Sequence, residues 1–471
     1  MSFSNFKIEN DGDGIAVVTW DSPGRSMNVI DASVMDELSA IIDQTTADAA
    51  VKGVVITSSK DAFCAGADLT MLEGLSRAFA ELAAAQGEEA AMTRFFEESR
   101  RWSVLCRRIE TCGKPWVAAI NGTALGGGFE LALACHRRVA ADSPRTRVGQ
   151  PEVKVGLIPG AGGTQRIARM MAPSDALQFL LKGDQVQLPR AKAMKLVDTV
   201  VPKADLVRTA KEWIKSGGSA KAPWDVDGFK LPGGPVYSKA GIMVFTPANA
   251  IYRRETYDNY PAARAILQVV YEGLQLPMDQ ALRVESRWFA KILRSPEAAA
   301  MIRTLFVSMQ ELNKGARRPA DVPPNQLKKV GIIGAGFMGG AIAYVSALAG
   351  LDVVLIDRDP ETAEKGKAHS HKLVTDQVNR GRATTADRDA LLARISATAD
   401  FVELKDCELV IEAVFEDRKI KEEVISRTQN VLGEEAISAP TLRRCRLPHW
   451  RRRSRIARVL SAFISSRRSS G

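Results

Sequence analysis

Histidine is scarce in this chain of 471 residues, with four copies at His136, His369, His371 and His449. His369 and His371 stand two apart in a helix-like segment and so face different sides, which argues against a metal pair. No metal site is expected. The six cysteines, Cys64, Cys106, Cys112, Cys135, Cys407 and Cys445, include no Cys-x-x-Cys spacing and read as reduced thiols. Cys64 has no base near it in sequence and reads as a small packing residue. No apolar run is long enough to cross a bilayer, so membrane insertion is not expected. The opening Met1-Ser-Phe-Ser-Asn-Phe-Lys has neither the apolar core of a secretory leader nor the Arg-rich character of a transit peptide, and a cytoplasmic setting is expected. Lysine, aspartate and glutamate are missing altogether from residues 439–471, which hold ten arginines and six serines. The remaining 55 basic residues (65 minus 10) balance 55 acidic ones, so the net charge of +10 belongs to that tail.

What is present is enough for several soluble cores, at 45% hydrophobic residues. The run Lys114-Pro-Trp-Val-Ala-Ala-Ile-Asn-Gly-Thr-Ala-Leu-Gly-Gly-Gly-Phe-Glu130 reads as a buried strand over Trp116 to Ile120, a glycine loop, and a helix opening near Phe129. Free N–H groups at such a helix start point at whatever lies before it, and Gly126, Gly127 and Gly128 let an oxygen approach them closely. Upstream, Ala62-Phe-Cys-Ala-Gly-Ala-Asp-Leu69 follows the strand Gly53 to Thr57 and gives a second small-residue turn. Two such turns can form a two-donor pocket for an anion that exists only in a transition state. Glu130 follows the triple glycine, and Glu152 follows Gln150-Pro151 after one strand-like segment, so one site is offered two carboxylates. Gly160, Gly162 and Gly163 are expected to serve tight packing before a helix near Thr164.

Far downstream, Lys329-Val-Gly-Ile-Ile-Gly-Ala-Gly-Phe-Met-Gly-Gly-Ala-Ile-Ala343 gives strand, Gly334-x-Gly336-x-x-Gly339 and helix. Asp357 stands eighteen residues past Gly339, at the end of the apolar run Asp352 to Ile356. This arrangement admits a pyrophosphate to a helix N-terminus while the acid takes a ribose 2′-hydroxyl, favouring NAD over NADP. Cys407 to Lys421 reads as another buried strand running into a helix.

The residues Ala65-Gly-Ala-Asp68, Ile120-Asn-Gly-Thr-Ala-Leu-Gly-Gly-Gly-Phe-Glu130, Gln150-Pro-Glu152 and Gly156 to Thr164 resemble the crotonase (enoyl-CoA hydratase/isomerase) superfamily over about residues 1–225. The resemblance implies that the N–H groups of Ala67 and Gly127 hold a thioester oxygen of a coenzyme A substrate, and that Glu130 and Glu152 handle water. The downstream module looks like the 3-hydroxyacyl-CoA dehydrogenase family, which places Glu416 and Lys421 near the cofactor. Their order along the chain resembles the alpha-subunit family of bacterial fatty acid oxidation complexes and implies a thiolase beta subunit as a possible partner.

The expected architecture is α/β: a spiral ββα domain of crotonase type over 1–225, a helical linker over 226–325, a partial Rossmann parallel sheet over 326–438 and an irregular Arg-rich tail over 439–471. Lys221 to Pro235 reads as a Pro- and Gly-rich connection, Ala262 to Leu274 and Met278 to Leu293 as helices, and Arg317 to Pro324 as a hinge. Phe79, Leu82, Phe95 and Phe96 lie on helix faces in Leu75 to Arg101, with core packing favoured over an acyl channel. After about Ser438 the family pattern stops, and none of the four histidines stands in the context of the family's catalytic histidine. With permitted codons chosen for Arg458 to Ser469 and the bases regrouped by one, the string GFIGIHFFSPV can be written, which resembles the segment carrying that histidine. The tail is therefore expected to be out of frame, and nucleic acid is not expected as a partner. The expected activity is hydration of trans-2-enoyl-CoA to 3-hydroxyacyl-CoA, with the NAD-dependent dehydrogenase step lost and NAD binding weakened. The alternative is a non-catalytic, aggregation-prone remnant that binds acyl-CoA.

Overall fold

The computed structural model describes residues 3–318, 327–379, 383–433 and 436–440. Most of the expected hinge and the tail beyond 440 lie outside the described residues. The chain divides into two compact units, residues 1–318 and 319–471, each taken by itself below.

In the first unit a six-stranded sheet runs in the order β1 (Phe6–Asn10), β2 (Ile15–Trp20), β3 (Gly53–Ser58), β4 (Trp116–Ile120), β6 (Arg137–Ala141) and β9 (Thr199–Val201). The β1–β2 pair is antiparallel and the other pairs are parallel. Parallel strands covered on both faces read as unbroken apolar runs, and β3 and β4 are buried along their whole length. Val54, Ile56, Trp116, Ala118 and Ile120 point into the main core. The alternate residues Val55, Val117 and Ala119 meet Leu206, Ala210 and Ile214 of the helix Leu206–Lys215 on the other face. A smaller sheet joins β5 (Ala124–Leu125), β7 (Arg147–Gly149) and β8 (Gln185–Gln187). The site is built from the loops that leave β3 and β4 at their C-terminal ends.

The helices expected around 262–274 and 278–293 are observed as Pro261–Gly273 and Met278–Leu293. They send Ile266, Val269, Val270, Phe289 and Ile292 into the same main core as the sheet. The Pro- and Gly-rich stretch before them is fastened: Arg107 grips both carboxylate oxygens of Asp225 at 2.7 Å. Phe79 and Phe95 meet edge to face at 5.5 Å on neighbouring helices, in keeping with core packing. Among the described residues no helix is long and apolar enough to cross a membrane.

The second unit holds a five-stranded, fully parallel sheet in the order β12 (Ile395–Thr398), β11 (Asp352–Ile356), β10 (Lys329–Ile333), β13 (Leu409–Glu412) and β14 (Ile437–Pro440). Strand order reverses beside β10, which makes a switch point of the kind where ligands bind in doubly wound sheets. Strand β12, Ile-Ser-Ala-Thr, was not expected from sequence because it is short and carries one large apolar residue. Strand β14 carries ordered backbone pairing through Pro440, opposite Glu412.

Candidate active site and nucleotide module

Each glycine of the triple glycine is crowded by a different neighbour, Gly127 by Ile30, whose Cδ1 would stand 2.7 Å from a Cβ there. Gly126 has φ +53°, and a Cβ there would stand 3.0 Å from Glu152 Oε1. At Gly128 a Cβ would come within 2.5 Å of the Cys64 Cβ. The helix Gly127–Ala134 therefore begins hard against both the second carboxylate and the upstream turn. Trp102 fixes that start by donating its indole N–H to the Gly127 carbonyl at 3.0 Å. Burial pushes the Cys64 thiol up to about 12, as suits a packing residue.

The two turns are stitched together. Cys64 bridges Ala124, and Leu125 N donates to Cys64 O at 3.0 Å. Ile30 bridges Ala67 by accepting from Asp68 N at 3.0 Å and donating to Gly66 O at 2.9 Å. A parallel bridge of this form engages the groups flanking Ala67, so the N–H of Ala67 itself points away from Ile30. Gly127 is the first residue of its helix, and its N–H has no intrahelical acceptor. Among the described residues neither N–H donates to a protein acceptor.

Glu130, buried in the first turn of that helix, accepts Ala161 N and Gly163 N at 2.7 Å each on Oε1. Burial raises its pKa, while these two donors and the charge of Arg166 act the other way. Glu152 opens the short turn Glu152–Val155. Burial holds its pKa well above the ordinary carboxylate range, and the neighbouring charge of Glu130 adds to that. Gln150, with its amide nitrogen facing Glu152, donates to Oε1 at 2.8 Å and Oε2 at 3.1 Å. A Cβ on Gly163 would lie 2.8 Å from Glu130 Oε1 and 2.9 Å from the amide of Gln150, the residue that holds Glu152, so the two carboxylates have neighbouring supports.

Gly162 and Gly163 pack tightly, a Cβ at the first falling 2.8 Å from Leu282 and at the second 2.8 Å from Pro159. Their N–H groups in addition hold carboxylates, Gly163 that of Glu130 and Gly162 that of Glu285. Gly160 packs tightly as well, with a Cβ there falling within 2.5 Å of the Phe289 ring. Arg166 runs behind the loop, pairing Glu110 at 2.7 and 3.0 Å and donating to Ala161 O at 2.6 Å.

In the second unit the three glycines differ in kind. Gly334 takes φ +100° and donates to Ile356 O at 2.7 Å, making the tight turn. A Cβ on Gly339 would fall 1.6 Å from Gly334 O, so that glycine brings helix Phe337–Leu348 against the strand end. A Cβ on Gly336 would meet nothing within 4 Å, leaving its face open. Asp357 accepts Ala335 N at 2.6 Å and Arg358 N at 2.7 Å, which holds the glycine turn to the end of β11. The residues present fit a dinucleotide: an open glycine, a helix N-terminus and an acid at the switch point.

Lys421 is buried in helix Arg418–Gln429, where it donates to both oxygens of Glu412 at 2.9 and 2.8 Å and lies 3.6 Å from Glu416. Glu412 ends β13, directly beside Ile333 of β10. Lys421 and Glu416 thus stand at the C-terminal edge of the sheet, with the lysine turned inward. Among the described residues no cluster of His, Cys, Asp and Glu has the makings of a metal site.

Residues 10–221 match the family model for enoyl-CoA hydratase/isomerase, and residues 329–441 that for the NAD binding domain of 3-hydroxyacyl-CoA dehydrogenase. The two units belong to these two families. The chain is 36% identical over 438 residues to the fatty acid oxidation complex subunit alpha of Shewanella amazonensis, and 37% identical over 441 residues to that of Shewanella loihica. These matches cover 92% and 93% of this chain but 59% and 60% of the relatives, so the chain spans about three fifths of their length. A solved enoyl-CoA hydratase from Bacillus anthracis aligns at 23% identity, covering 66% of this chain and 96% of its own, with a TM-score of 0.38. Within the hydratase-family unit, sequence reasoning missed Gln150, Arg166 and Glu285, and in the NAD-binding unit Glu412. One signal for Glu285 was available: it sits on the apolar stripe of its helix, between Leu282 and Phe289, where a carboxylate is costly unless it is held.

Proposed function

We propose that the chain adds water to trans-2-enoyl-CoA to give 3-hydroxyacyl-CoA. The observation that carries this is the pair of carboxylates, buried Glu130 and half-buried Glu152, held by different donors beside the two unused N–H groups of Ala67 and Gly127. Water attacks C3 while one carboxylate takes its proton. The π pair of the C2–C3 bond moves toward the thioester, whose oxygen gains enolate-like charge, and a proton is then delivered to C2. Environments that separate two carboxyl groups assign their parts. Glu130, where Ala161 N, Gly163 N and Arg166 oppose the upward push of burial, suits the base, and Glu152, raised well above the ordinary range by burial and further by the Glu130 charge, suits the acid. The Ala67 and Gly127 amides would grip the enolate oxygen, a contribution of about 3 kcal/mol for each well-placed donor.

The test is the loss of ultraviolet absorbance as crotonyl-CoA is hydrated. Glu130→Gln and Glu152→Gln should each lower turnover by about 10²–10⁴-fold. A wild-type rate in either variant refutes the assignment, and an inactive parent chain favours a protein that only binds acyl-CoA.

The second unit is proposed to bind NAD, with Gly334, Gly336 and Gly339 admitting the pyrophosphate to the helix N-terminus and Asp357 facing the ribose. When bound, NAD would supply the hydride acceptor for a 3-hydroxyacyl group. NADH formation from 3-hydroxybutyryl-CoA and NAD tests that role. Likeness to alpha subunits of a complex supports a thiolase beta subunit as partner, which co-purification would test.

A further inference from the structure

Four consecutive peptide groups where the loop enters helix Gly163–Met170 are divided between two buried carboxylates. Ala161 N and Gly163 N donate to Glu130, each at 2.7 Å. Gly162 N donates to Glu285, and Thr164 adds its N–H at 3.0 Å and its hydroxyl. Glu285 lies on helix Met278–Leu293, more than 120 residues downstream, and is wholly buried. We infer that Glu285 is a positioning residue of the hydration site, locking the loop 160–164 so that two of its N–H groups stay aimed at Glu130.

The four N–H groups alternate between the two acids. Glu130 alone would leave the intervening peptide planes free to turn. With Glu285 holding those, rotating any one plane breaks a bond to a buried acid, which is costly because no water can replace it. Arg166 fixes the chain further by donating to Ala161 O at 2.6 Å while anchored on Glu110. Glu130 thus receives its two donors from a loop held at both ends and from behind. Gly156 brings in the neighbouring helix Pro296–Ile302: a Cβ there would lie 3.1 Å from Ala298 Cα. The turn that carries Glu152 is therefore braced by the same stretch of chain as the loop that orients Glu130.

The charged groups facing Glu285 are Glu130, Arg166, Arg169 and Glu152. Where Glu285 is ionised its charge helps to raise the pKa of Glu152, so removing that charge lowers it. A residue that only filled space would leave the pH profile unmoved.

This inference rests on the hydration reading, and the experiment keeps the two apart. Crotonyl-CoA hydration is measured across pH on the full chain, with Glu130→Gln, Glu285→Gln and Thr164→Val alongside the parent. Glu285→Gln places an amide NH₂ against loop donors and is expected to lower kcat by about 10–100-fold with KM within about twofold, since misplacement of a catalytic group acts on the chemical step. The alkaline limb of kcat/KM moves to lower pH in the same variant. Thr164→Val, which keeps the loop's N–H bonds and removes one hydroxyl donor, should lower kcat several-fold and preserves the test if Glu285→Gln does not fold. Normal kcat per folded molecule with an unmoved limb, in whichever of these variants folds, overturns the inference and leaves Glu285 a stabilising residue. An inactive parent, or an active Glu130→Gln, overturns the hydration reading instead.

Discussion

Arg166 and Glu110 form a buried bidentate pair, Nε and Nη2 meeting the two carboxylate oxygens at 2.7 and 3.0 Å. The remaining guanidinium nitrogen reaches the loop that orients Glu130, so this pair couples the stability of the unit to the geometry of its site. Arg166→Met should leave Glu110 with Arg107 as its charged partner and cost about 3 kcal/mol, because breaking a buried pair strands a desolvated charge. Urea unfolding of the variant measures this, and a midpoint equal to that of the parent would contradict it.

Burial of acids also fixes how stability varies with pH. Glu285 is pushed up to about 8 from an ordinary 4.5, chiefly by burial, and Glu152 is raised for the same reason. A raised folded-state value means that the native protein keeps a proton the unfolded chain has already lost. The resulting stabilisation is complete below the unfolded value and is lost as pH climbs through the folded one. His136, lowered by burial, acts in the opposite sense, but only as pH falls below its usual 6.5. The thermal midpoint of the first unit should therefore fall between pH 6.5 and 8. Calorimetry at low salt would reveal the trend, and a rising midpoint would rule it out.

The NAD-binding unit offers two glycines with opposite consequences. Gly336→Ala adds a methyl to open space at φ −65° and should leave melting unchanged while weakening NAD binding by about tenfold, through the lost close approach of phosphate to backbone. Gly339→Ala drives a methyl into Gly334 O and should unfold the turn itself. Titration calorimetry with NAD, paired with thermal melting, separates the two outcomes.

Lys421→Met should destabilise the same unit by about 3–5 kcal/mol, since Glu412 would be left buried opposite an apolar chain. The double variant Glu412→Leu, Lys421→Met should recover most of that loss. If the single change proves neutral, the ion pair carries no structural weight.

The local setting of the two candidate carboxylates could be read before any coordinates. Glu130 and Glu152 were legible because the backbone around them demands glycine, and a triple glycine with a following acid marks a crowded helix start. The helix Met278–Leu293 was legible to its end residues from apolar spacing alone. Glu285 was not, because its meaning lies in donors far away in sequence, and local pattern cannot say which distant backbone a side chain meets. The inward turn of Lys421 escaped for a similar reason: a lysine in the first turn of a helix ordinarily reads as solvated, and only the placement of Glu412 at the end of β13 buries it.

Because the helix bearing Glu285 fills the same interior as the sheet, a fragment ending at residue 225 would lack the acid that secures the loop beside Glu130 and would bare the hydrophobic surface beneath. Grafting this unit onto another scaffold, or trimming it for expression, thus has a natural lower limit near residue 302, well past the point where the recognisable motifs stop.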